Sequence, residues 1–259
     1  MNDFPAAETF LTVTSDPRFP LAVAISILAG AVRGFSGFGS ALIFIPLMSA
    51  VYGPQVAAPT FVVIDLAVGL FFVPRVWRHA DFYQILPLAV AAVTAAQFGT
   101  LILLYADPVA LRWAISALVG IVVVVLASGW RYHGRPILAV TIGVGLLAGL
   151  MGGAVQMSGP PIIVYWLGSA AAAAVLRANF IVYFTIFSAA SVLTYAWRGL
   201  LPPDILMLAL LIGPLQIAAM ALGARLFHLA SEQTYRRVGY LIVASSAIVS
   251  MPVWETWLK

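Results

Sequence analysis

Apolar residues occupy this chain in long uninterrupted blocks rather than in stripes along one face of a helix. The blocks fall at about 20–50, 56–74, 83–105, 109–129, 137–167, 176–196, 203–227 and 234–254. Most approach the roughly 20 residues that cross a bilayer as helix, so the pattern predicts an all-α polytopic membrane protein. Short polar breaks separate them: Tyr52-Gly53-Pro54, Trp77-Arg78-His79-Ala80-Asp81, Ala106-Asp107-Pro108, Arg131-Tyr132-His133-Gly134-Arg135-Pro136 and Leu200-Leu201-Pro202-Pro203-Asp204. Proline and glycine beside charge mark helix ends. No break is long enough to hold a soluble domain, so residues 1–259 are expected to form a single transmembrane domain.

The first and fifth blocks run well past one bilayer thickness, and glycine interrupts each near its middle. The first contains LAGAVRGFSGFGSALIFIP (Leu28–Pro46) and the fifth LAGLMGGAVQMSGPPIIVYW (Leu147–Trp166). Aligned, Leu28-Ala29-Gly30 falls on Leu147-Ala148-Gly149, Gly34 on Gly153 and, with one inserted residue, Gly39 on Gly159. Further on, Trp77-Arg78 matches Trp197-Arg198 and Gln97 matches Gln216; Gly99 and Arg112 match Gly223 and Arg236 after more insertions. The expectation is two homologous four-segment halves, repeat 1 at about 20–130 and repeat 2 at about 136–256, joined by the basic linker at 131–136. The first segment of each half is broken or re-entrant. Internal duplication of this kind is common in secondary transporters. If each long block crosses once, the loop arginines divide with little bias. If each returns as a hairpin, Arg75, Arg78, Arg131, Arg135, Arg177, Arg225, Arg236 and Arg237 share a side against Arg18, Arg112, Arg198 and Lys259. The positive-inside rule favours the hairpin.

Composition narrows the partners. Hydrophobic residues make up 63% of the chain and charged residues 8%, against roughly 45–50% and 25% in soluble domains. The bilayer is therefore the first partner. The absence of cysteine excludes disulfides, thiolate metal sites and thiol nucleophiles. Asp3, Glu8 and Asp16 precede the first basic residue, Arg18, the reverse of a signal peptide, so the first block is expected to be retained. The net charge of +4 is spread over loops without a polybasic cluster, which argues against nucleic acid. Nothing calls for a cofactor or metal, and a homo-oligomer is compatible with the pattern.

The glycine-rich interruptions carry the candidate chemistry. A helix that breaks at membrane depth must be satisfied by protein or by a water-filled cavity. The amino end of its second half presents free amides and the positive pole of the helix dipole, a natural anion site. Gly37-Phe38-Gly39-Ser40 and Ser158-Gly159-Pro160-Pro161 would each start such a half-helix. An arginine in the membrane is expensive and suits bidentate oxyanion binding, so Arg33 sharpens the case. The expected substrate-binding residues are Arg33, Ser36, Gly37, Gly39, Ser40, Gln156, Ser158 and Gly159, for a small anionic substrate. Asp65, in FVVIDLAVGLFFVP, is the one carboxylate within an apolar span and the expected coupling group; Thr185 is its repeat counterpart. Plainer roles compete. The glycines serve close helix packing, Arg33 pairs with Asp65, and Gln97, Gln156 and Asn179 bond helix to helix. The tryptophans at span ends form an interfacial belt.

Gly34-Phe35-Ser36-Gly37-Phe38-Gly39 with the apolar stretch to Pro46, the glycine-rich run Leu147–Pro161 and the duplication together resemble the TauE/SafE-type sulfite exporters, also called the toluene-sulfonate uptake permease family. The resemblance covers essentially the whole chain. It implies a multi-pass carrier of the bacterial inner membrane that moves sulfite, sulfonates or related small organic anions; ion coupling is expected from Asp65. The chain departs from the pattern where Ala154-Val155-Gln156-Met157 replaces a more glycine-rich run. An intramembrane enzyme is disfavoured: Asp65 has no second membrane carboxylate, and His79, His133 and His228 are scattered at loops or span ends. An anion channel and a non-transporting assembly protein are the alternatives.

Overall fold

The computed structural model describes residues 5–36, 39–128, 137–167, 172–226 and 242–253. Gly37, Phe38, the linker at 131–136, Arg236 and Arg237 lie outside the described residues. The helices are α1 Pro5–Ser15, α2 Phe19–Ser36, α3 Ser40–Tyr52, α4 Pro54–Val76, α5 Phe82–Tyr105, α6 Pro108–Ala127, α7 Leu138–Val155, α8 Gly159–Leu167, α9 Ala173–Trp197 and α10 Pro203–Leu226. Residues 242–250 are also helical, and no strand occurs among the described residues. Among the described residues six stretches are long and apolar enough to cross a membrane: Pro54–His79, Phe82–Tyr105, Pro108–Val125, Leu138–Val155, Ala174–Trp197 and Pro203–Arg225. A seventh results if Glu8–Ser15 and Phe19–Gly34, bent by 82°, count as one. The protein is all-helical and multi-pass. Large apolar side chains such as Phe71, Val90, Phe98, Leu193 and Leu210 lie exposed, as lipid contact requires.

A short helix, α1, precedes the first apolar block. Its Thr12, Thr14 and Ser15 hydroxyls bond back to the carbonyls of Glu8, Phe10 and Leu11. Asp16 then takes the Arg18 guanidinium at 2.8 Å and the Arg18 amide, which fixes the corner into α2.

The described chain divides into two compact units. Unit 1 comprises 1–61, 107–123 and 199–259, and unit 2 comprises 62–106 and 124–198. Unit 1 is organised on the pair α2 and α10. The Ser26 hydroxyl donates to the Ile212 carbonyl at 3.0 Å. One and two turns on, Gly30 and Gly34 face the carbonyls of Gln216 and Met220 so closely that a Cβ on either would collide with backbone. The rising register, 26 on 212, 30 on 216 and 34 on 220, means the helices run parallel. α3 packs on α2. Arg18, at the start of α2, reaches the Val51 carbonyl at 3.4 Å and lies over the Tyr52 ring, at the end of α3. Arg112 is not a loop charge: it is buried in α6 and donates to the Ser250 carbonyl at 3.3 Å.

Unit 2 uses the same device on α7 and α5. Gly145, Gly149 and Gly153 face the carbonyls of Leu88, Ala92 and Ala96, and Gly99 faces that of Leu150. These helices are parallel too. In lipid, where no hydrophobic force draws helices together, small residues that let backbones touch are what holds them, and Cα–H···O contacts add to the attraction. α8 packs on α7, and Tyr165 near its end meets the Thr141 hydroxyl near the start of α7 at 2.6 Å. α9 lies along α5 in the same sense: Asn179 accepts from the Asp81 amide at one end and Thr194 from Gln97 at the other. The core of this unit gathers Ile85, Leu88, Ala92, Ile162, Trp166 and Tyr183.

The glycine rows give a direct test. Gly149→Ala forces α5 and α7 apart and should lower the melting temperature of the detergent-solubilised protein, an overpacking cost of about 1–3 kcal/mol. Gly143→Ala, in the same helix with nothing near its added Cβ, should leave it unchanged or raised.

Candidate functional site

Each unit contains a break inside one of the two over-long apolar blocks, and the expected binding residues cluster at these two places. In unit 1, Gly39 closes the break with φ 95°, a left-handed value that a side chain would strain. α3 starts at the next residue, Ser40, which is 3% exposed. From the last turn of α2, Arg33 swings onto this amino end and donates from Nη1 to Ser40 Oγ at 3.3 Å. Leu42 already bonds back to the Gly39 carbonyl, so the Ser40 and Ala41 amides are the first-turn groups without an acceptor inside the helix. A partly buried guanidinium, a hydroxyl and two amides thus converge on one spot. Gly37 lies outside the described residues, and of Ser36 only its helical backbone is described.

In unit 2 the break is held differently. Gln156 adopts φ 55° at the end of α7, the one non-glycine left-handed residue among those described. Such a conformation costs roughly 1–2 kcal/mol, and hydrogen bonds offset it. The Gln156 amide returns to the Gly152 carbonyl at 2.8 Å, and its side-chain Nε2 donates to the Tyr195 hydroxyl at 3.0 Å. Tyr195 in turn donates to the Gly153 carbonyl at 3.0 Å. Gln156 is 6% exposed and Ser158 3%, and Gly159 opens α8 with the Phe184 ring against it. Proline at the next two positions fits a first turn, where no N–H is needed.

Asp65 is 7% exposed in α4 and accepts from the Ser188 hydroxyl of α9 at 2.7 Å. One turn on, Gly69 meets the side chain of Thr185, the residue aligned with Asp65. Gln97, Gln156 and Asn179 all bond to neighbouring elements within unit 2, as their plainer role predicts. The interrupting glycines split by function: Gly30, Gly34, Gly149 and Gly153 serve packing, whereas Gly39 serves the break.

Sequence reasoning placed a span at 176–196 but missed the row of side chains that α9 presents. Asn179, Tyr183, Phe187, Ser191 and Tyr195 recur every four residues, all at most 4% exposed. Tyr183 turns toward Ser158, Phe187 lies against Gly152, and Tyr195 bonds Gln156, so this row lines the break. The signal was present as polar atoms on a buried four-residue period.

Apolar crossings built around two interrupted helices are the architecture of a multi-pass membrane transporter. The sulfite exporter TauE/SafE family model matches residues 22–250, and the chain belongs to that family of exporters, whose business is transport and not catalysis. A curated relative, the probable sulfite/organosulfonate exporter TauE of Cupriavidus necator, is 27% identical over 233 residues, covering 86% of this chain and 90% of its own. No solved structure shows significant similarity to the chain.

The second break rests on one phenol. Tyr195→Phe leaves the Gln156 amide and the Gly153 carbonyl without it and should cost about 1–3 kcal/mol of stability, read as a lower melting temperature in detergent.

Proposed function

We propose that this chain is a carrier of the bacterial inner membrane that exports small sulfur oxyanions, sulfite or organosulfonates, with ion coupling through Asp65. The observation that carries this is the convergence of Arg33, Ser40 and the first-turn amides on the amino end of α3. That set suits an oxyanion: the guanidinium neutralises its charge and the fixed amides orient it. Membership of an exporter family supports the direction of transport, and the printed activity of the Cupriavidus necator relative supports the substrate class. Asp65 suits coupling because a buried carboxylate beside a hydroxyl can hold either a proton or a charge.

In this reading each broken first segment is a re-entrant hairpin. Support comes from Arg18 meeting Val51 and Tyr52, and from Thr141 meeting Tyr165, contacts that join the start of each long segment to its end. The parallel course of α7, α5 and α9 supports it further, because α8 must then return the chain to the side from which α7 set out. The chain is also duplicated and exchanged: the first segment of each repeat packs on the third of the other, α2 on α10 and α7 on α5. The glycine contacts support a register that sets Ala92 on Gln216 and Gly99 on Gly223, in place of Gln97 on Gln216.

Flux in proteoliposomes tests the carrier. Sulfite, sulfoacetate, an aryl sulfonate and sulfate are offered with and without an imposed pH gradient. One sulfur oxyanion should show saturable flux and counterflow, falling at least about tenfold in Arg33→Gln, the loss expected when a charged hydrogen bond is removed. Asp65→Asn should keep exchange while losing its response to the gradient. Wild-type flux in Arg33→Gln would remove the α3 site, and flux without saturation or counterflow would indicate a channel.

Because the chain has no cysteine, single introduced thiols report sidedness cleanly. Pro17→Cys and Gln55→Cys should react with an impermeant maleimide from the same side of the membrane. Labelling from opposite sides would mean a single crossing.

A further inference from the structure

The amino end of α8 is short of backbone donors. Pro160 and Pro161 follow Gly159 directly, so neither of these first-turn positions carries an N–H. An anion bound here must take its hydrogen bonds chiefly from side chains, and two hydroxyls are in place. Ser158 immediately precedes the helix and is 3% exposed. Tyr183 of α9 is fully buried with its hydroxyl turned toward Ser158. No hydrogen bond of good geometry closes on that hydroxyl among the described residues. A dry, unsatisfied phenol is a cost that native structures avoid unless something else completes it. The ring has no freedom to turn away: Phe187 stacks on it at 6.0 Å and Trp166 meets it edge-on at 6.1 Å.

The charge around this end is equally specific. The described arginines of unit 2 are engaged or exposed elsewhere. Arg75 bonds the Phe71 carbonyl and lies over its ring, Arg78 and Arg198 lie over Trp77 and Trp197, and Arg177 is exposed. Asp65 is held by the Ser188 hydroxyl, one residue past Phe187 on α9. What remains is a pair of neutral donors and the fractional positive charge of a short helix. Such a set repays the desolvation of one negative charge far better than of two.

We propose that the Ser158 and Tyr183 hydroxyls and the amino end of α8 bind the head group of a singly charged oxyanion, a sulfonate or hydrogensulfite, and discriminate against dianions. This rests on the anion-carrier function above and adds charge selection and Tyr183 to it. In unit 1 the corresponding position has a cation, Arg33; in unit 2 a phenol does the recognition.

Calorimetric titration of the purified, folded protein in detergent tests this without requiring transport. The wild type should bind methanesulfonate at least about tenfold more tightly than sulfate. Tyr183→Phe, which keeps the ring packing, should weaken methanesulfonate binding by about tenfold, and Ser158→Ala should weaken it in the same direction. Without ligand, the melting temperature of Tyr183→Phe should be unchanged or raised, because the removed hydroxyl closes no hydrogen bond of good geometry; a purely structural hydroxyl would lower it. Equal affinity of wild type and Tyr183→Phe, sulfate binding as tight as methanesulfonate, or no binding of either anion would overturn the proposal. Methanesulfonate binding with these preferences in a protein that shows no flux would count against the carrier and leave the site standing.

Discussion

The contact on which this protein depends has no side chains in it. On α2 and on α7, glycines four residues apart press against carbonyl oxygens of a parallel neighbour, at Gln216 and Met220 in one unit and at Leu88, Ala92 and Ala96 in the other. Lipid tails are as apolar as leucine, so burying apolar surface between helices gains little here, and close dispersion contact has to supply the attraction. Glycine brings no rotamers to freeze, which keeps the entropic cost low. Everything chemical in the structure hangs from these pairs. Arg33 adjoins Gly34, the last glycine of the α2 row, Gln156 follows the α7 row, and the breaks begin where the rows end.

The two breaks solve one problem with different residues. A helix that stops inside the membrane needs a left-handed residue to turn and partners for the groups it frees. Unit 1 uses Gly39, whose conformation is free of steric cost, and so can place Arg33 and amides at the turn. Unit 2 uses Gln156, whose conformation must be secured by Tyr195, and follows it with two prolines that remove donors. Aspartate at 65 against threonine at 185 continues the asymmetry. The two breaks therefore share a device while their chemistry differs.

Much of this was legible in the sequence, and the rest was hidden for definite reasons. The spans, the two over-long blocks and the places of their interruption follow from block length and from glycine beside proline. What glycine does at each place does not follow, because one residue type serves both close packing and backbone reversal. Gly34 and Gly39 look alike in a sequence, yet one meets the Met220 carbonyl and the other turns the chain. Gln156 in a left-handed conformation could not be read either, since the adjacent glycines at 152 and 153 were the natural candidates. Tyr183 and Tyr195 read as ordinary buried aromatics until the chain facing them was known.

The side-chain-free contact also constrains movement. Carbonyls and glycines both recur every four residues, so each pair of helices has a matched position and, a full turn away, another; between them a carbonyl would meet a Cβ. Small sliding adjustments are therefore closed to α2 with α10 and to α7 with α5. Each pair is a strut that moves as one piece, and the left-handed residues Gly39 and Gln156 sit just past the ends of the glycine rows.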